Sequence, residues 1–214
     1  MEILFFVVFL TQMLFVKLHL IITTMKKALP IALGLIVLVS LFRILPHPYN
    51  FTPVGAIALF SGAYLSKRVI GWLFPIAIML ISDTILEITT GFGFHKDMWA
   101  VYGSFALMIL LGQKILSGRT TGKRVLGASV LGSVLFFLLT NFSSWLIDPS
   151  GIYANSLSGL IAAYAAAIPF YNVSDPLSSF ALNGLLGDLF FSGALFGAYA
   201  LIVSPKNATT PVVA

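Results

Sequence analysis

Arg43-Ile-Leu-Pro-His-Pro-Tyr-Asn-Phe-Thr-Pro-Val54 separates two apolar runs, and its reading decides how the whole chain is read. Pro46, Pro48 and Pro53 cannot continue a helix, and each biases the residue before it towards an extended backbone. An extended segment cannot lie in hydrocarbon with its amides unpaired, so it must face water or be buried in protein. The stretch therefore reads as a stiff loop at a membrane surface, shaping the mouth of a pocket.

Working outward, the composition supports a bilayer as solvent. The 214 residues are 59% hydrophobic and 9% charged, with a mean hydropathy of +1.02. A soluble domain carries about 25% charged residues, so this chain could not cover its surface with polar groups. The absence of cysteine excludes disulfides, thiolate metal sites and cysteine nucleophiles. The net charge of +5 reads as a topology signal rather than a nucleic-acid footprint, because the basic residues cluster in short loops between apolar runs.

The expected fold is an all-α integral membrane bundle of six transmembrane helices, at 28–45, 54–66, 69–87, 99–116, 125–147 and 179–203. Residues 157–171 add a short outer-surface or re-entrant helix, which Pro169 ends. The run 54–66 is short for a span but rich in small residues (Gly55, Ala56, Ala58, Ser61, Gly62, Ala63), so neighbouring helices can approach it closely. With the N-terminus inside, Lys26, Lys27, Lys67, Arg68, Lys114, Arg119, Lys123, Arg124 and Lys206 fall on the cytoplasmic side, whereas Arg43 and Lys96 fall outside. This asymmetry places both termini in the cytoplasm. Met25-Lys-Lys, followed by a clean apolar run, reads as a start; residues 1–24 then form an N-terminal extension, since no small-x-small cleavage site precedes Met25. Residues 25–204 form the membrane domain and 205–214 a disordered tail.

Ionisable groups inside spans are costly and are either paired or functional. Asp83 and Glu87 share one helix face. Two readings stand for them: an ion pair of Arg43 with either, or a ligand-binding role. Asp188 lies nine residues into the last span, about 14 Å deep at 1.5 Å per residue, flanked by Gly184, Gly187 and Gly193. It reads as a helix–helix hydrogen-bonding group or as the floor of a site, with Asn183 as companion. Asn141 and Trp145 fall one turn apart near the outer end of the fifth span. His47 and His95 are outer-loop residues that lack metal-ligand spacing. Together with Asn50, nearly all these polar groups map to the outer half, as one outward-open cavity would require. Gly118-Arg-Thr-Thr-Gly-Lys123 fails as a phosphate loop, with three residues between its glycines and Arg124 where Ser or Thr is needed. No hydrolase motif is present, so neither an enzyme nor a cofactor is expected.

His47-Pro-Tyr-Asn-Phe-Thr-Pro-Val-Gly-Ala-Ile-Ala-Leu-Phe-Ser-Gly-Ala63 resembles the opening signature of an uncharacterised bacterial membrane family, a domain of unknown function. Leu80-Ile-Ser-Asp83, Val101-Tyr-Gly-Ser-Phe105, Thr140-Asn-Phe-Ser-Ser-Trp145, Ala167-Ile-Pro-Phe-Tyr171 and Gly187-Asp-Leu-Phe-Phe191 extend the resemblance over about residues 27–203. That family is in turn similar in size and layout to the substrate-binding S components of energy-coupling-factor vitamin transporters. The resemblance implies a bacterial inner-membrane location, a pocket opening outward, and a coupling subunit with ATPases as partners. S components meet the coupling subunit through an Ala-x-x-x-Ala face on the first helix, and Ala28 and Ala32 have that spacing.

The leading expectation is thus a subunit that captures a vitamin-like small molecule, with Arg43, His47, Asn50, Asp83, Glu87, Asn141, Trp145, Asn183 and Asp188 as candidate binding residues. The rivals are a solitary ion- or proton-coupled transporter using Asp188 and Asp83, and a non-transport membrane scaffold.

Overall fold

The computed structural model describes residues 28–65, 69–91, 93–148, 151–168 and 180–203, with side chains from Leu182 onward in the last stretch. All regular structure among these residues is helical: α1 Ala28–Arg43, α2 Val54–Tyr64, α3 Ile70–Thr90, α4 Met98–Leu116, α5 Gly122–Ile147, α6 Leu157–Ala167 and α7 Phe180–Val203. The expected 1–24 extension, the Ser66-Lys67-Arg68 turn, the segment from Pro169 to Tyr171 and the 205–214 tail lie outside the described residues.

Four helices, α3, α4, α5 and α7, are long and apolar enough to cross a bilayer, whereas α1 and α2 are shorter. The expected spans therefore match helices in order, but among the described residues only four helices have the length and apolarity of a full span. Their flanks carry large exposed apolar side chains, such as Leu73 at 61%, Ile88 at 80% and Leu201 at 81% exposure. Apolar surface on that scale needs hydrocarbon, not water, as its solvent. Boundaries shift slightly. α3 continues to Thr90 before Gly91 ends it in a left-handed conformation (φ 73°), so Glu87 lies inside the last turn. Lys123 and Arg124, expected in a loop, belong to the first turn of α5. As expected, 157–167 form a short helix, which rests against α5: the Tyr164 hydroxyl donates to the Leu138 carbonyl at 2.7 Å.

The centre of the bundle is α2. Every residue from Val54 to Ala63 is buried, because a helix that is apolar all round finds no face to offer water. α3, α4, α5 and α7 surround it. Its small residues allow contact backbone to backbone: Gly62 lies directly against the Ile109 carbonyl and Gln113 amide of α4, and Gly112 of α4 lies against the Leu59 carbonyl of α2. A methyl group at either position would meet main-chain atoms that cannot swing aside. On the side towards α7, Phe60 and Tyr64 stack among Phe196 and Tyr199, with ring centroids 4.3–5.7 Å apart.

One hydrogen bond explains how α3 keeps a proline within its length. Pro75 lacks the N–H that would bond the Gly71 carbonyl four residues earlier. In hydrocarbon that carbonyl must find another donor, and the buried Ser61 hydroxyl of α2 donates to it at 2.5 Å. Ser61→Ala should therefore destabilise the protein by about 1–3 kcal/mol, the cost of an orphaned buried acceptor. In a Pro75→Ala background, which restores the helical donor, the same substitution should cost much less. Thermal unfolding of the four proteins in detergent measures the coupling; equal penalties in both backgrounds would exclude this account.

Candidate functional site

The helix ends segregate the polar chemistry. At one end meet the C-terminus of α1, the 44–53 loop, the C-terminus of α3, the N-terminus of α4, the C-terminal half of α5 and the N-terminal half of α7. Lys114, Arg119, Lys123 and Arg124 sit at the other end, around the α4–α5 turn.

The proline loop closes the first end by lying down on α7. Asn50 adopts a left-handed backbone (φ 62°), which Asn tolerates better than most residues. Two tight turns follow, with Phe51 N–H donating to the Pro48 carbonyl at 3.0 Å and Thr52 N–H to the Asn50 carbonyl at 2.9 Å. Folded this way, Phe51 and Thr52 pass over Gly187, where a β-carbon would stand 3.1 Å from the Thr52 nitrogen. The Phe51 ring packs on Phe190 and Phe191, and Phe42 at the end of α1 joins them. Pro53 then caps α2.

Beneath the loop lies a cavity of about 380 Å³, within the range of small-molecule sites, about 300–1,000 Å³. Arg43, Asn50 and Thr52 line its rim; His95 and Asp97 enter from the loop before α4; Phe105, Phe136 and Phe137 form apolar walls; Asn141 and Thr140 face it from α5; and Asp188 lies in its lining on α7. The Asp188 carboxylate is 8% exposed, accepts from the Ser133 hydroxyl at 2.5 Å, and presses its other oxygen against Gly55. Gly55 thus makes room for the carboxylate, since a side chain there would collide with it. Asp97 accepts from the Ser144 hydroxyl at 2.6 Å, tying the α4 entrance to α5.

The candidate residues divide into two groups. Arg43, Asn50, Asn141 and Asp188 line the cavity. Asp83 is buried instead behind it (1% exposed) and forms an ion pair with Arg43, the first of the two sequence readings. The same guanidinium donates to Ser82 Oγ at 2.8 Å, and the Tyr102 hydroxyl donates to the second Asp83 oxygen at 2.7 Å. This network joins α1, α3 and α4 and fixes the direction of the arginine. Glu87 accepts from the Gly93 and Phe94 amides at 2.9 and 3.0 Å, bracing the α3–α4 loop. Trp145 donates to the Ala154 carbonyl at 3.1 Å, and the His47 ring meets the Pro48 carbonyl at 2.9 Å. Asn183 is fully buried within the bundle. Ala32 is likewise buried in the chain's own core, with Ala28 half-buried beside it. Among the described residues no three His, Asp or Glu groups stand close enough to hold a metal ion.

Sequence reasoning did not single out Ser133, Phe136, Phe137 or Ser144. Ser133 and Ser144 give no signal on their own, since hydroxyls in apolar helices normally bond their own backbone. Phe136 and Phe137 are indistinguishable from lipid-facing aromatics until the helix has a direction. A second hollow of about 370 Å³ lies at the other end between α5 and α7, lined by Thr121, Ser129, Ser192 and Phe196 and by no charged side chain.

Long apolar helices with exposed hydrocarbon flanks and a polar hollow at one end define a helical membrane protein. The chain belongs to the family of unknown function DUF6580, whose model matches residues 23–211. No curated protein matches the chain, and no solved structure does.

Because the Arg43–Asp83 pair is buried, removing one partner leaves the other charge uncompensated. Asp83→Leu should lower stability by about 3 kcal/mol or more, and the double variant Arg43→Met, Asp83→Leu should recover much of that loss. Denaturation of the purified proteins followed by circular dichroism tests the recovery.

Proposed function

We propose that this protein is the substrate-binding component of a small-molecule uptake system in the bacterial cytoplasmic membrane, similar in role to the S components of vitamin transporters. The observation that carries the reading is the cavity at the polar end. It has the size of a small-molecule site, apolar aromatic walls, and hydrogen-bonding groups contributed by five separate segments: α1, the proline loop, the loop before α4, α5 and α7. A scaffold would have no need to keep such a hollow beside a rigidly braced arginine.

In this reading six helices span the membrane, α1 and α2 as short spans that a locally thinner bilayer accommodates. The basic end faces the cytoplasm by the positive-inside rule, and the cavity opens outward with the proline loop and α6 at its mouth. The protein carries out no chemical step and uses no cofactor. Energy comes from separate coupling and ATPase subunits. Ala32 lies inside the core, so a coupling subunit would dock through a surface other than an Ala28–Ala32 face.

Thermal-shift measurements on purified protein against a broad panel of vitamins and related micronutrients test the reading. At least one compound should raise the melting temperature by several degrees, and Asn141→Leu, at the cavity wall, should reduce that rise. A panel without a single stabilising compound would reject it.

Asp188 favours one second reading, a solitary ion- or proton-coupled carrier. A carboxylate on a spanning helix that accepts a hydrogen bond from a serine is a natural coupling group. That reading expects Asp188→Asn to abolish uptake into cells while substrate binding stays intact.

A further inference from the structure

The charges around the cavity are unevenly compensated, and this bears on what it holds. Among the described residues the one ion pair is Arg43 with Asp83. Among the described residues Arg43 is the only arginine or lysine in the cavity lining, and its guanidinium is already committed to Asp83 and Ser82. The described residues of the lining also include two carboxylates, Asp97 and Asp188. The side chains that donate to them are hydroxyls, Ser144 to Asp97 and Ser133 to Asp188, which carry no charge. An anion entering the cavity would meet these two carboxylates and an arginine whose charge is spent. A cation would find both carboxylates available.

The walls narrow the kind of cation. Phe105 and Phe136 stack at 5.2 Å between α4 and α5, with Phe137 beside them. Aromatic faces attract cations through the ring quadrupole, by about 0.5–2 kcal/mol depending on desolvation. A bare metal ion would need at least three ligating groups together, and the described residues offer no such cluster. A carboxylate at the depth of Asp188 is expensive to keep charged without a counter-charge, and a bound organic ammonium supplies one. We propose that the cavity selects an organic cation, a protonated amine or quaternary ammonium carried on an apolar or aromatic body, with Asp188 as its counter-ion and Asp97 guarding the entrance.

This inference rests on the small-molecule-binding reading above, and the experiment separates the two. The full chain in lipid nanodiscs is titrated calorimetrically with three probes of similar shape: 2-phenylethylammonium, 2-phenylethanol and 3-phenylpropionate. The ammonium should bind at least ten-fold more tightly than the other two. Asp188→Asn should erase that preference, and should that variant fail to fold, Asp97→Asn should reduce it several-fold. Equal or tighter binding of the alcohol or the carboxylate overturns the cation inference while leaving a binding pocket in place. If none of the three binds and the vitamin panel is also silent, both proposals fall. If the panel instead yields only neutral or anionic ligands, the cation inference alone falls.

Discussion

The structure depends on the burial of ten consecutive residues, Val54 to Ala63, of the eleven-residue helix α2. α2 is too short and too uniformly apolar to present one face to the core and another to lipid, so it is wrapped on all sides. Wrapping is possible only because its partners approach to backbone contact, through Gly62 against α4 and Gly112 of α4 in return. Between lipid-exposed helices there is no hydrophobic driving force, and association relies on close packing and hydrogen bonds. The Ser61–Gly71 bond, which offsets the missing donor of Pro75, is the same rule applied to one carbonyl. Once α2 is fixed, the positions of α4, α5 and α7 around it follow, and so does the hollow they leave at one end.

That hollow is kept open largely by groups behind its lining. Asp83, Ser82 and Tyr102 hold Arg43 from behind, and Glu87 braces the loop that carries His95 and Asp97. On the opposite wall, Gly55 and Gly187 carry no side chain, so the first leaves room for the Asp188 carboxylate and the second lets the proline loop lie flat. Preorganisation of this kind reduces what a ligand must spend on ordering its site. It also leaves the carboxylates, not the arginine, as the charges a ligand would meet.

Much of the architecture was legible in the chain because a bilayer imposes few options. Apolar length, proline placement and loop charge located the helices in order, and the polar residues that matter were already concentrated near one set of helix ends. The limits were of two kinds. Pairing is a property of two helices, so Arg43 could be matched to Asp83 or to Glu87 but not assigned. Direction around a helix axis also has no signature when every face is apolar, so Phe136, Phe137 and Ser133 stayed invisible, and Asn183 and Trp145 stood as candidates beside residues that do reach the cavity. Ala28 and Ala32 show the same limit: their spacing permits a contact face, but Ala32 is turned inward.

The sequence by itself determined that this is a helical membrane protein, where its helices begin and end to within a few residues, and which end gathers its polar groups. Each of these follows from local composition, since a lipid solvent acts on every segment separately. Only the tertiary structure decided which helix is central, which carboxylate neutralises Arg43 and which remain facing the cavity. Those outcomes depend on distances between segments far apart in the chain, set by where glycines let two backbones touch.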